Sequence, residues 1–156
     1  MASQSAGLLM WKREGGALKV LLVHPGGPYW QRRDAGAWSI PKGGYAEGET
    51  PLAAARREFS EELGCALGHL PDSAFRPLGD IRQKGGKRVT AFALEGDFDP
   101  RDLRSNPFEI EWPPRSGRRR SYPEVDRAAW FSLAEAQEKI LAAQRPLLDA
   151  LAALEG

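Results

Sequence analysis

Two apolar runs open the chain, AGLLMWKR (6–13) and ALKVLLVHP (17–25), separated by Glu14-Gly15-Gly16. Runs of this length on either side of a Gly-Gly turn read as paired strands. The second is almost continuously apolar, as for a strand covered on both faces. Residues 26–38 are polar and glycine-rich and read as a loop, and WSIP (38–41) as a short strand closed by Pro41. Leu52, Ala55, Phe59 and Leu63 then recur at helical spacing. At ~100° per residue they fall on one core-facing stripe. The predicted helix spans 51–63. Thr50 caps its start, Pro51 sits where a missing N–H loses no bond, and Gly64 ends it in a left-handed conformation. Residues 75–98 read as strand, turn at Lys84-Gly85-Gly86-Lys87, strand. Residues 99–123 show no clear periodicity and read as a long loop, a feature often functional in a compact domain. AAWFSL (128–133) reads as a short strand. Ser132 then caps a helix running from 133 to 144, and Pro146 starts a further segment ending near 154. Interleaved strands and helices predict an α/β (α+β) class with a mixed sheet.

Composition narrows this only a little. The 156 residues imply a single domain, 1–156. With 42% hydrophobic and 28% charged residues the chain is ordinary for a globular protein. A net charge of +1 offers no broad basic surface, so nucleic acid is not the expected partner and any functional charge must be local. Cys65 is the sole cysteine, which excludes an intrachain disulfide framework. No apolar run approaches the ~18 residues of a membrane span, and the N-terminus has no basic region ahead of a long apolar one. The expected location is therefore cytoplasmic, with no membrane partner.

The predicted helix changes the picture through its charges. In RREFSEELG (56–64), Glu58 and Glu62 are four residues apart and Glu58 and Glu61 three, so their carboxylates converge beside the apolar stripe. Spacing alone is compatible with a solvated acidic face. Like charges at these spacings, however, destabilise a helix by a few tenths of a kcal/mol per pair, roughly. They also sit in the second half of the helix, where its dipole disfavours anions. A hard divalent cation would turn that repulsion into coordination.

Gly43, Glu49, Arg57, Glu58, Glu61, Glu62 and Gly64 follow the Nudix box, G-x5-E-x7-R-E-U-x-E-E-x-G-U, at every fixed position. At ordinary residue usage a chance match at one start is on the order of one in a billion. Phe59 and Cys65 stand at the U positions, where bulky aliphatics are usual; both are apolar, so the departures touch packing rather than chemistry. The strand pair at the N-terminus, the run WSIPKGG, the segment PEVDRAAWF and a C-terminal helix extend the resemblance over most of the chain. The chain resembles the Nudix hydrolase family, and within it a group of bacterial proteins described as predicted NTP pyrophosphohydrolases. Its WSIPKGGYAEGE run is similar to the one that leads into the box in dinucleoside polyphosphate hydrolases and diphosphoinositol-polyphosphate hydrolases.

The resemblance implies an α/β/α sandwich around a mixed sheet, and hydrolysis of a nucleoside diphosphate linkage with Mg²⁺ or Mn²⁺. It implies Glu58, Glu61, Glu62 and the backbone carbonyl of Lys42 as metal ligands. Arg57 would orient a catalytic glutamate and pair with Glu49, while Gly43 and Gly64 shape the box. Glu124, six residues before Trp130, matches a further glutamate that some members use as ligand or base, with Glu109 and Glu111 as rivals. Glu61 and Glu124 both stand as general-base candidates. Phosphates beyond the metal need cations: Lys42, Lys84, Lys87 and the run Arg115, Arg118, Arg119, Arg120 are candidates, although the run reads first as a plain solvated loop and is kept by its position just before Glu124. Tyr29, Trp30 and Trp112 lie in predicted loops where a base could stack. Trp38 reads as core, His24 and His69 as structural, Cys65 as buried and inert, and Arg56 as surface. The expected substrate is a nucleoside triphosphate or dinucleoside polyphosphate. ADP-ribose-type sugar nucleotides, or nucleotide binding without hydrolysis, are the alternatives.

Overall fold

A computed structural model describes residues 4–155 of the chain. Met1–Ser3, on which part of the reading of the N-terminus rests, lie outside the described residues, as does Gly156. The first two runs form β1 (Gln4–Glu14) and β2 (Ala17–Pro25), paired antiparallel from Trp11↔Val20 to Glu14↔Ala17. β3 (Lys42–Gly44) follows, then α1 (Pro51–Leu63), β4 (Phe75–Arg82), β5 (Arg88–Glu95), the hairpin β6 (Pro107–Glu111) and β7 (Arg119–Pro123), β8 (Val125–Ser132), α2 (Leu133–Lys139) and α3 (Arg145–Glu155).

The main sheet runs β4-β5-β1-β2-β8. β1 pairs parallel with β5 and antiparallel with β2, so the sheet is mixed. β3 also pairs with β1, at Ser5–Gly7, on the edge that β2 leaves free. Alternate residues of β1 feed opposite faces. Leu8 and Met10 pack with Ala55, Phe59 and Leu63 of α1, whereas Leu9 and Trp11 pack with Ala136 of α2 and Leu147, Leu148 and Leu151 of α3. This is the expected α/β/α layering. Among the described residues no helix is long and apolar enough to cross a membrane.

The local signals around α1 act as their chemistry requires. The Ala53 amide donates to Thr50 Oγ1 at 3.1 Å. Gly64 takes φ 75°, and a Cβ there would stand 2.4 Å from that of Arg104. Ala54 joins the predicted stripe as a buried residue, and Leu52 is only partly covered. Arg56 is no free surface group. It donates to Asp72 and to the carbonyls of Leu67 and Leu70, and lies over the Phe75 ring, clasping the segment that leaves the helix.

Elsewhere the boundaries move. The short strand expected at 38–41 becomes single bridges at Trp38 and Ser39, and the paired segment starts at Lys42. The helix expected to reach residue 144 stops at Lys139, where Ile140 turns extended and bridges Trp38. The expected long loop at 99–123 holds a hairpin. Phe108 and Ile110 alternate with Glu109 and Glu111, and Pro107 and Pro123 pair at its open end. A two-stranded ribbon has only edges, so its prolines forfeit no central ladder bond; their number hid the alternation.

Candidate active site

α1 and the loop before it build a charged network around Arg57. Its Nε and Nη2 donate to the two carboxylate oxygens of Glu49 at 2.8 and 2.9 Å, a two-pronged pairing. Its Nη1 donates to Glu58 at 2.9 Å and reaches Glu61, one turn on, at 3.3 Å. Arg57 thus supplies Glu61 at four-residue spacing and Glu58 from the next position, offsetting part of their like-charge repulsion. Hydrogen bonds to Arg57 hold Glu49 below the usual carboxylate range, and those to Glu49 hold the guanidinium firmly charged.

Glu58 is well covered, with 13% of its side chain exposed. Its carboxylate lies directly over the α-carbon of Gly43. A Cβ at Gly43 would stand 2.1 Å from Glu58 Cδ and 2.2–2.4 Å from both oxygens. The box glycine is thus a cradle that any side chain would fill with carbon. Burial raises Glu58 despite the Arg57 hydrogen bond. Glu62 is pushed up to about 8, first by burial and then by repulsion from Glu58, and its Oε2 accepts the Lys42 amide at 3.1 Å. The Glu124 charge adds to the repulsion on both.

Glu62 opens onto a cavity of about 190 Å³ whose walls include Val23, Trp30, Ile40, Lys42 and Glu124. Burial and the neighbouring Lys87 pull the Lys42 ammonium below its usual range. Glu124 is held by its backbone: its amide donates to the Asn106 carbonyl and its carbonyl accepts from Gly26, both at 2.9 Å. Lys42, Glu58, Glu61, Glu62 and Glu124 are therefore brought into one neighbourhood, with Trp30 beside them. Lys84 is exposed at the β4–β5 turn and Arg118 at the β6–β7 turn, and neither lines the cavity. Glu109 pairs with Arg119, and Glu111 accepts the Arg115 amide within the hairpin.

One support was absent from the sequence reading. Gln144 is fully buried, and its Oε1 accepts the Ile40 amide at 3.0 Å. Its Nε2 reaches Ser39 and Gln83, each at 2.9 Å. It pins the segment before Lys42 to the end of β4 from about a hundred residues away, a distance at which no local pattern signals pairing. His24, expected to be structural, is fully buried, with Nδ1 at 2.8 Å from Asp126 and Nε2 at 2.6 Å from the Arg33 carbonyl. It ties the loop carrying Trp30 to β8. Trp38 is buried, as expected of a core residue, whereas Cys65, expected to be buried, is only half-buried, its thiol raised by that partial burial.

The donors fit a hard divalent cation. They are carboxylate oxygens, they repel one another, and the Gly43 cradle holds one at the spot a side chain would occupy. In this arrangement Glu58 is bonded to Arg57 and Glu62 to an amide, and among the described residues no three potential ligands form a ready coordination shell.

The family model for the NUDIX domain matches residues 1–151. The chain belongs to the NUDIX domain family. An RNA pyrophosphohydrolase of Francisella tularensis is 50% identical over 46 residues, 29% of this chain and 30% of that protein. The chain thus matches under a third of that relative's length. Two solved structures share the NUDIX fold. The Ap4A hydrolase binary complex from C. elegans has a TM-score of 0.65 at 22% identity, covering 98% of this chain and 97% of that one. The NUDIX domain of Shewanella oneidensis NrtR, complexed with ADP ribose, has a TM-score of 0.64 at 16% identity, covering 100% and 90%.

Proposed function

We propose that the chain is a divalent-cation-dependent pyrophosphohydrolase that cleaves a phosphoanhydride in a nucleoside triphosphate or dinucleoside polyphosphate. The observation that carries this reading is the cavity shared by Glu62, Glu124, Lys42 and Trp30, with Glu58 and Glu61 alongside. Glu58, Glu61, Glu62 and the Lys42 carbonyl would hold Mg²⁺ or Mn²⁺. Bound there, the cation neutralises phosphate charge and acidifies water. Arg57, fixed by Glu49, orients Glu58. Lys42 and Lys87 attract phosphate oxygens, and Trp30 with Val23 and Ile40 offers an apolar wall to a base. Water oxygen attacks phosphorus, its proton passes to a carboxylate, and the bridging oxygen leaves with the other phosphate. Of the two base candidates, Glu124 is the better placed. It lines the cavity and has no ion pair among the described residues, whereas Glu61 is engaged by Arg57.

Retention of every fixed box residue favours hydrolysis over nucleotide binding alone. A hydrolysis screen with Mg²⁺ and Mn²⁺, its products resolved by chromatography, tests the reading across nucleoside triphosphates, dinucleoside polyphosphates, 5′-triphosphorylated RNA and sugar nucleotides. Turnover of a polyphosphate, lost in Glu124→Gln and in Glu62→Gln, is expected. Turnover of ADP-ribose alone would shift the substrate class, and none on any substrate would leave a binding domain.

A further inference from the structure

The hairpin sorts its charges by strand alternation. Glu109 and Glu111 share one face with Arg119. The other carries Phe108, Ile110, Tyr122 and Arg120, and the Trp112 amide bond to the Arg118 carbonyl continues the ladder one step, placing Trp112 and Arg118 on it too. This second face turns toward the loop that walls the cavity. A Cβ on Gly27 would stand 2.9 Å from Phe108 Cζ, and Tyr29 meets Trp112 edge-on at 5.1 Å. Tyr29 is 57% exposed and precedes Trp30 of the cavity wall. Arg118 and Arg120 are exposed, without a carboxylate partner among the described residues. An exposed Tyr29 edge-on to a half-buried Trp112, bordered by unpaired guanidinium groups, is complementary to a base carried on a phosphate.

We propose that Tyr29, Trp112, Arg118 and Arg120 form a second binding site, for a nucleobase and its phosphate lying beyond the cleaved linkage. The inference rests on the pyrophosphohydrolase reading of the cavity and deepens it: the substrate carries two bases, one on each side of the polyphosphate. The far base has two sources, the second nucleoside of a dinucleoside polyphosphate or the second nucleotide of a 5′-triphosphorylated RNA.

Equilibrium binding separates this from turnover. Methylene-bridged diadenosine tetraphosphate, a methylene-bridged 5′-triphosphorylated dinucleotide RNA and methylene-bridged ATP are titrated with Mg²⁺ into wild type, Tyr29→Ala and the double variant Arg118→Ala/Arg120→Ala. Each variant should lose affinity for a two-base ligand about tenfold more than for the one-base ligand. Tyr29→Phe, which keeps the ring, should retain it. The arm with the larger differential identifies the source. Equal losses for one-base and two-base ligands, no loss in either arm, or failure of both two-base ligands to bind overturns the proposal. A hydrolysis screen that fails on every substrate, with the binding differential intact, overturns the hydrolase reading and leaves the second site standing.

Discussion

α1 and the β6–β7 hairpin both carry dense charge, and they treat it in opposite ways. On α1, Arg57 is bonded to Glu49 and Glu58, and Glu58 is largely covered. Glu62 is pressed into a cavity wall beside other carboxylates. On the hairpin, Arg119 has its glutamate at the long distance of 3.5 Å, and Arg118 and Arg120 stand in water. Burying a charge costs far more than exposing it, so the helix must supply a partner for each of its ions or repel. The hairpin meets no such demand, and its guanidinium groups are available to something else. The two regions are therefore vulnerable at different scales: the helix to single atoms, the hairpin only to loss of the whole patch.

The sharpest break of that contrast is on the helix. Glu62→Gln or Glu58→Gln should cut cation-dependent turnover by on the order of 10²-fold or more, with the fold retained. Circular dichroism beside a chromatographic assay of the cleaved products checks both, and undiminished turnover would remove the carboxylates from the site. Gly43→Ala should come next. Its methyl carbon falls on the Glu58 carboxylate, so the displaced group should cost about 10²-fold in kcat/KM and ~1–3 kcal/mol of stability. Steady-state kinetics and urea unfolding read the two.

Protonation sharpens the comparison further. In chelator, folded Glu62 keeps its proton to about pH 8, whereas the unfolded group releases it near the ordinary value of 4.5. The folded state therefore binds more protons between those limits, and stability should fall as pH rises from 4.5 to 8, then level off. Melting temperature across that window should show the slope, Glu62→Gln should flatten it, and added Mg²⁺ should oppose it. Smaller effects follow at the edges. Thr50→Ala should cost about 1 kcal/mol through the lost cap. Arg119→Ala on the hairpin should change stability by ~0.5 kcal/mol or less, because an exposed pair contributes little. A larger loss at Arg119 than at Thr50 in chemical unfolding would erase the contrast.

Legibility follows the range of the forces involved. α1, its cap and its terminator are set by neighbours within a few positions, and all three lie where the spacing placed them. β1 and β2 were legible because a tight turn joins them. The hairpin was not, since Phe108 and Ile110 signal alternation over a few residues only and the surrounding prolines read as loop. Arg56 looked like surface because its partners are carbonyls that come into reach only after the chain folds back. Gln144 gave no signal at all: a lone amide becomes a brace only once Ser39, Ile40 and Gln83 surround it.

By itself the sequence determined the box, the helix that presents its glutamates and the apolar stripe that seats the helix, because these depend on residue type at fixed short spacing. The tertiary structure alone decided which charges share a cavity. It drew Glu124 to Glu62, turned Glu109 and Glu111 away into the hairpin, laid Glu58 over Gly43 and put Tyr29 against Trp112. Proximity between groups far apart in sequence depends on strand register and sheet order, which arise from the packing of the whole core and have no counterpart in local spacing.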